Sequence, residues 1–235
     1  GRGAVLAAAS FIAGSALLSG ARPAGPPAAA MDGLSWLDGK SEFGSASVLL
    51  ERSGLKIYVD PVQLPDPSAL PKADLILITH GHRDHLSVAS VKALLKKGTA
   101  IVASQDAAYS LSQAKTPGAK AILPGAKMKG RGWSLEALPM YVEGERSQHL
   151  KSMDWVAFVL TVDKARYFFS GSSGLTGETL SLSGIDVAVL GMKGGADIAD
   201  ARAVAAWAAA VKPANLVPVH WSDKSRADLD EVEAL

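Results

Sequence analysis

Residues 73–87 read ADLILITHGHRDHLS, and the rest of the chain is best understood outward from them. Leu75–Thr79 is a short run of apolar and β-prone residues, which predicts a buried strand. Gly81 then turns the chain, and His80, His82, Asp84 and His85 follow within six positions. Imidazole and carboxylate are the ligands that suit a zinc-like divalent ion. A strand end leading into a tight loop can aim alternate side chains at one point.

On the upstream side, Ala46–Arg52 and Leu55–Val59 flank Ser53-Gly54, the pattern of a β-hairpin. It stops at Asp60-Pro61, so Asp60 also ends a strand. Asp60 is either a neighbour of the histidine cluster or a turn-forming residue before proline. On the downstream side, Val88, Val91, Leu94 and Leu95 share one helical face, predicting a helix from Ser87 to Lys97 that closes at Gly98. Strands are expected at Ile101–Ala103 and Ala121–Leu123, with a short helix at Asp106–Ser112 between them. The cluster thus sits at the carboxyl end of a strand, where open α/β layers bind ligands.

The second half repeats the order without repeating the sequence. Trp133–Tyr141 reads as a strand, followed by a polar loop over Val142–Met153 that carries His149. Trp155–Val162 and Arg166–Ser170 form a second hairpin, and Asp186–Leu190 a buried strand. Asp197 is placed to cap a helix whose Val204, Trp207, Ala208 and Val211 face one way. Leu216–Val219 is the last strand and delivers His220, and the acidic end of the chain looks like the start of a further helix. Two β-rich layers, each followed by helices, predict an α/β fold built as an αββα sandwich.

The 235 residues contain no cysteine, which excludes disulfides, thiolate metal sites, cysteine nucleophiles and acylated-cysteine anchors. A metal site must use His, Asp and Glu. All five histidines fall in loops after strands. With Asp84 they supply six donors, enough for two three-ligand sites that leave positions open to water, as catalytic zinc requires. Water on such an ion has a pKa of about 7, so hydroxide is available at neutral pH.

The formal net charge is +1, and because Arg2 and Arg22 are the only charges before Met31, residues 31–235 carry −1. Neither a nucleic-acid footprint nor a polybasic membrane patch follows, and no nucleic-acid partner is expected. Residues 4–18 are uncharged and mostly apolar, follow Arg2, and lead to PPAAA ending at Ala30. That is the pattern of a secretory signal peptide cleaved near Ala28–Ala30, the alternative being a disordered Ala-rich leader. The run is short beside the roughly 20 residues of a membrane span, and no stable span is expected. With a signal peptide the protein is periplasmic or secreted; without one it is cytoplasmic.

The chain resembles the metallo-β-lactamase superfamily, and within it the lactonase-like metal-dependent hydrolases, over residues 36–222. The family motif of two alternating histidines and then Asp-His stands here as His80-Gly81-His82-Arg83-Asp84-His85. Tyr58-Val59-Asp60-Pro61 is similar to the strand before that motif, and Pro218-Val219-His220-Trp221 to the last metal-binding segment. The resemblance implies a four-layer αββα sandwich as a single domain over residues 31–235. It implies His80, His82 and His149 as ligands of a first metal, and Asp84, His85 and His220 of a second. Glu143 or Glu145 competes for the place of His149. Zn2+ is the implied ion, one or two per chain, with Mn2+ or Fe2+ as alternatives.

In related enzymes an Asp in the turn after the second hairpin bridges the two metals, and here Ser172 holds that position. Ser45 likewise stands where relatives often carry a histidine. A hydroxyl bridges poorly and removes a negative charge that offsets two dications. The implied activity is hydrolysis of a small ester, lactone or phosphoester, with Asp84 orienting the water and accepting its proton. His220 or Lys193 would assist a substrate oxyanion, unless Lys193 is an ordinary surface lysine. The competing reading is a catalytically impaired metal- or ligand-binding relative. A nuclease is disfavoured by the near-neutral charge, and a redox di-iron member by His82, which is typically Glu there. A true β-lactamase fits less well than the lactonase-like segments. A Ser172→Asp variant should bind one more equivalent of metal than the wild type, read by elemental analysis of protein purified without chelators. Equal metal content in the two would show that Ser172 costs nothing.

Overall fold

Strand β4 of the computed structural model spans Leu75–Ile78 and is buried at every residue, because both of its faces are covered. The structure describes residues 30–37, 45–64, 66–144, 147–193 and 198–221. Residues 1–29 of the expected leader (1–30), Glu145, Asp197 and the expected terminal helix (222–235) lie outside them.

The first sheet runs β1 (Leu34–Trp36), β2 (Val48–Arg52), β3 (Leu55–Val59), β4, β5 (Ala100–Ala103) and β6 (Ala119–Ala121) in spatial order. The first three pair antiparallel, and β3 to β6 pair parallel. The second sheet runs β12 (Asn215–Val219), β11 (Val187–Gly191), β10 (Ala165–Phe169), β9 (Val156–Val162), β8 (Trp133–Pro139) and β7 (Lys127–Gly130). There β7 to β10 are antiparallel, and β10 to β12 parallel. The same antiparallel-then-parallel order stands in both halves, in keeping with the shared order of elements in the sequence.

Side-chain alternation builds the layers. Leu75 and Leu77 enter a core between the sheets with Val48, Leu50, Phe158 and Phe169, whereas Ile76 and Ile78 face outward with Tyr58. That outer face is covered by α1 (Val88–Leu94) and α2 (Gln105–Gln113), through Val91, Leu94, Ala107 and Leu111. On the second sheet, Ala157, Phe168 and Ala188 pack outward against Val204, Trp207 and Val211 of α4 (Ala201–Val211). A short α3 (Gly177–Leu180) precedes β11. The result is a four-layer αββα sandwich. Among the described residues no helix is long and apolar enough to cross a membrane.

Both hairpins turn as the sequence indicates. Ser53-Gly54 and Asp163-Lys164 all have positive φ, the conformation of a two-residue turn matched to strand twist. Five details differ. Helix α1 ends at Leu94 because Leu95 is already extended. The strand expected at 121–123 lies at 119–121, set by parallel pairing with β5, although Ile122 still enters the core. Asp200 caps α4, accepting from Ala203 N at 2.8 Å. Edge strands β1 and β7 were not signalled by alternation; the lysines of β7 suit an edge that must not pair further. Ala30, the last residue of the expected leader, is buried between the sheets, and its carbonyl accepts from Tyr167 Oη at 2.9 Å. Phe158→Ala should remove about 3–5 kcal/mol of stability, measured by urea unfolding. A loss below about 1 kcal/mol, at the level of an ordinary surface change, would mean the inter-sheet core is not packed as described.

Candidate metal centre

Six donors converge where the two sheets meet at the carboxyl ends of β4 and β12. His80, His82 and His149 bring one donor atom each within 4.8 Å of one another, and Asp84, His85 and His220 do the same. His80 and His85 ring centroids are 4.0 Å apart, so the two trios adjoin. His149 therefore joins the cluster. Its loop is held by Val142 N donating to the His149 carbonyl at 2.9 Å and by the Lys151–Glu178 ion pair at 2.6 Å. Glu143 is exposed and belongs to neither trio.

Asp60 is a buried organiser, and with φ 46 it also turns the chain before Pro61. Its carboxylate accepts from Thr79 N and Thr79 Oγ1, each at 2.7 Å, and from His85 Nδ1 at 2.8 Å. Since the one hydroxyl proton of Thr79 goes to Asp60, the 3.0 Å contact with His80 Nδ1 requires His80 to donate. Both imidazoles thus carry the proton on Nδ1 and offer the Nε2 lone pair to the site, the arrangement that outer partners impose on metal-binding histidines. His80 Nε2 is buried without a hydrogen-bond partner among the described residues. A buried polar atom left so is costly unless it has another use.

In the second trio, His220 Nε2 lies 3.0 Å from His85 Nε2 and 3.4 Å from Asp84 Oδ2. Two donors bound tetrahedrally to one zinc at about 2.0–2.1 Å would be about 3.3 Å apart. The donor types and spacings fit a divalent ion. His220 has φ 66, a conformation rarely adopted by non-glycine residues, and its N–H donates to the Ser45 carbonyl at 3.0 Å. Ser172 is buried within the cluster, with Oγ 3.1 Å from His85 Nε2. Ser45 is buried too, but its hydroxyl bonds the Leu37 carbonyl. Lys193 is half-buried, follows β11, and is near enough for its charge to reach His220.

Residues 41–220 match the family model of the beta-lactamase superfamily domain. The chain belongs to that superfamily. A UPF0173 metal-dependent hydrolase of Pelotomaculum thermopropionicum is 27% identical to this beta-lactamase superfamily member over 211 residues, 81% of this chain and 87% of the relative. A protein of Parabacteroides distasonis assigned as a metal-dependent hydrolase has a solved structure with TM-score 0.69 and 28% identity, covering 81% of this chain and 86% of that one. The metallo-beta-lactamase fold protein YhfI of Bacillus subtilis gives TM-score 0.65 at 13% identity over 85% and 90% of the two chains, a likeness of fold alone.

Three supporting residues of this superfamily member escaped the sequence reading: Thr79, Asp106 and Trp155. Asp106 sits in the first turn of α2, just past the carboxyl end of β5. The rule that sites lie beyond strand ends would have pointed to it. Trp155 immediately precedes β9, and its ring packs on those of His80, His82 and His149 at centroid distances of 4.8, 4.6 and 5.4 Å.

Burial, reinforced by the neighbouring imidazoles, holds His80 well below its ordinary pKa. His220 is lowered as well, by burial first; its hydrogen bond to Asp84 pulls the other way, and the charges of His85 and Lys193 push it down. Asp84 is lowered although burial alone would raise it, because the His220 hydrogen bond and the His85 and His220 charges outweigh burial. A neutral imidazole, as burial favours at His80 and His220, and an ionised carboxylate are the forms that bind metal. The linkage has a definite sign. The unfolded chain takes up protons at these histidines below about 6.5 while the folded chain does not, so metal-free protein loses stability as pH falls from there. Asp84 adds a loss in the same direction below its ordinary value of 3.8. Urea midpoints without metal should be lower at about pH 5.5 than at about pH 7.5; the reverse order would mean the imidazoles are charged in the fold.

Proposed function

We propose that the protein hydrolyses a small ester, lactone or phosphoester at this centre, with Zn2+ as the ion and its place in the lactonase-like branch of the superfamily. The observation that carries this reading is the pair of adjoining trios whose His80 and His85 lone pairs are preset by Thr79 and Asp60. Metal-dependent hydrolysis is also the activity for which its relatives in Pelotomaculum and Parabacteroides are named. His80, His82 and His149 would hold one ion, and Asp84, His85 and His220 another. A bound divalent ion supplies Lewis acidity and lowers the pKa of a coordinated water to about 7.

The protein's own residues would do the rest. Asp84 is half-buried and held ionised, which suits a permanent acceptor that orients the attacking water better than a store for its proton. Lys193 would face the charge that develops on the substrate, a role that needs no proton transfer. Trp155 closes one side of the first trio and keeps bulk water from its imidazoles.

Ser172 favours a second reading, a relative impaired in catalysis. Its hydroxyl, at 3.1 Å from His85 Nε2, competes for a lone pair that the second trio needs and supplies no bridging charge. Wild type assayed beside His82→Ala separates the two readings, the variant being the metal-site control. That variant should eliminate one metal equivalent and all hydrolysis across a panel of esters, lactones and phosphodiesters. Wild-type protein that binds metal but turns over nothing would leave the impaired relative, and activity that survives without metal would rule out the hydrolytic mechanism.

A further inference from the structure

The Asp106 carboxylate joins three separate segments. Its Oδ2 accepts from Gly81 N at 3.0 Å and from Trp155 Nε1 at 2.9 Å, and its Oδ1 accepts from Ser104 Oγ at 2.6 Å. Gly81 lies between His80 and His82, and Ser104 follows β5. Trp155 immediately precedes β9 of the opposite sheet. One side chain therefore ties the loop that carries two imidazoles to the ring on which all three imidazoles of the first trio rest.

Gly81 serves this contact. A Cβ at position 81 would stand 2.5 Å from Asp106 Oδ2, closer than real atoms approach. Moving the carboxylate away would break two bonds to Oδ2 at once. Glycine in the motif is thus explained by close approach of a carboxylate to the backbone. A second tie runs parallel to the first, with Val156 N donating to the Thr79 carbonyl at 3.2 Å. Together they set the ends of β4 and β9 at a fixed distance. That distance matters because His80 and His82 come from the first sheet, whereas His149 comes from the loop that leads into β9.

We propose that Asp106 and Trp155 are positioning residues that preset the His80–His82–His149 trio for its ion. The inference rests on the metal-centre reading above and adds to it which residues outside the trios fix the first one. Neither residue is among the six donors of the two trios. Asp106 would play for this trio the part that Asp60 and Thr79 play for His80 and His85, with the difference that it holds backbone and an indole rather than imidazole nitrogens.

The test is a Zn2+ competition titration against a chelator, on full-length wild type and on His82→Ala, Asp106→Ala and Trp155→Phe. His82→Ala identifies which equivalent belongs to the first trio. Asp106→Ala should weaken that equivalent by about 10–100-fold, the usual cost of losing an outer partner of a metal ligand. Any equivalent that His82→Ala retains should keep wild-type affinity. Trp155→Phe, which keeps a ring and removes only the N–H, should weaken the same equivalent by a smaller factor; it decides the matter if Asp106→Ala fails to fold. Urea midpoints of the metal-free proteins separate positioning from bulk stability. The proposal is overturned if wild type binds Zn2+ and both variants bind it equally well, or if they lose metal-free stability with no change in affinity. Wild type that binds no Zn2+ would instead overturn the metal-centre reading, and this inference with it.

Discussion

The buried carboxylate of Asp60 is the constraint on which the site depends. A charge taken out of water is tolerable only when it is fully hydrogen-bonded. Here Thr79 supplies two bonds and His85 a third. The parallel pairing of β3 with β4, which sets Val59 opposite Leu77, brings the two strand ends together so that these bonds can form. Asp60 N donating to the Leu77 carbonyl at 2.9 Å extends the pairing by one step. The same contacts that satisfy a buried charge therefore fix which nitrogen of His80 and of His85 carries the proton. Fold and site chemistry meet in one group.

Much of this was legible in the sequence, for reasons that can be stated. Leu75–Ile78 could only be a strand buried on both faces, and a six-residue run with four metal-capable side chains directly after it has few other uses. Ser53-Gly54 and the Leu216–Val219 strand that delivers His220 were readable from local chemistry alone. Asp60 was visible as a strand terminator, but a turn aspartate before proline and a buried carboxylate look identical until the neighbouring strand is in register. Asp106 was marked only by its place just past a strand end, and Trp155 was not marked at all. They are 25 and 74 positions from Gly81, and only the stacking of α2 on β4 and of one sheet on the other makes them neighbours. His149 stood between. Its place in the trio is set by a loop whose conformation depends on β8, the Tyr141–Glu178 contact and the Lys151–Glu178 pair.

The two trios are chemically unequal. The first is three imidazoles, of which His80 is kept neutral by its burial, with Asp106 held at a distance behind Gly81 and Trp155. The second contains Asp84, and Asp60 lies directly behind His85, so most of the negative charge available to offset a dication is gathered on that side. A bridging carboxylate would have shared charge between the two; Ser172 cannot. Its hydroxyl can donate to His85 Nε2 only while that lone pair is otherwise unused. A second-trio ion would have to displace that hydrogen bond, yet it would gain the Asp84 charge and, through His85, part of the Asp60 charge. The first trio gives up no hydrogen bond of His80 Nε2 on binding but offers no formal charge among its ligands. Preorganisation favours the first trio and electrostatics the second. Which trio would take an ion first would thus be set by the balance between a freed lone pair and a buried carboxylate, and the serine at position 172 would shift that balance toward the first trio.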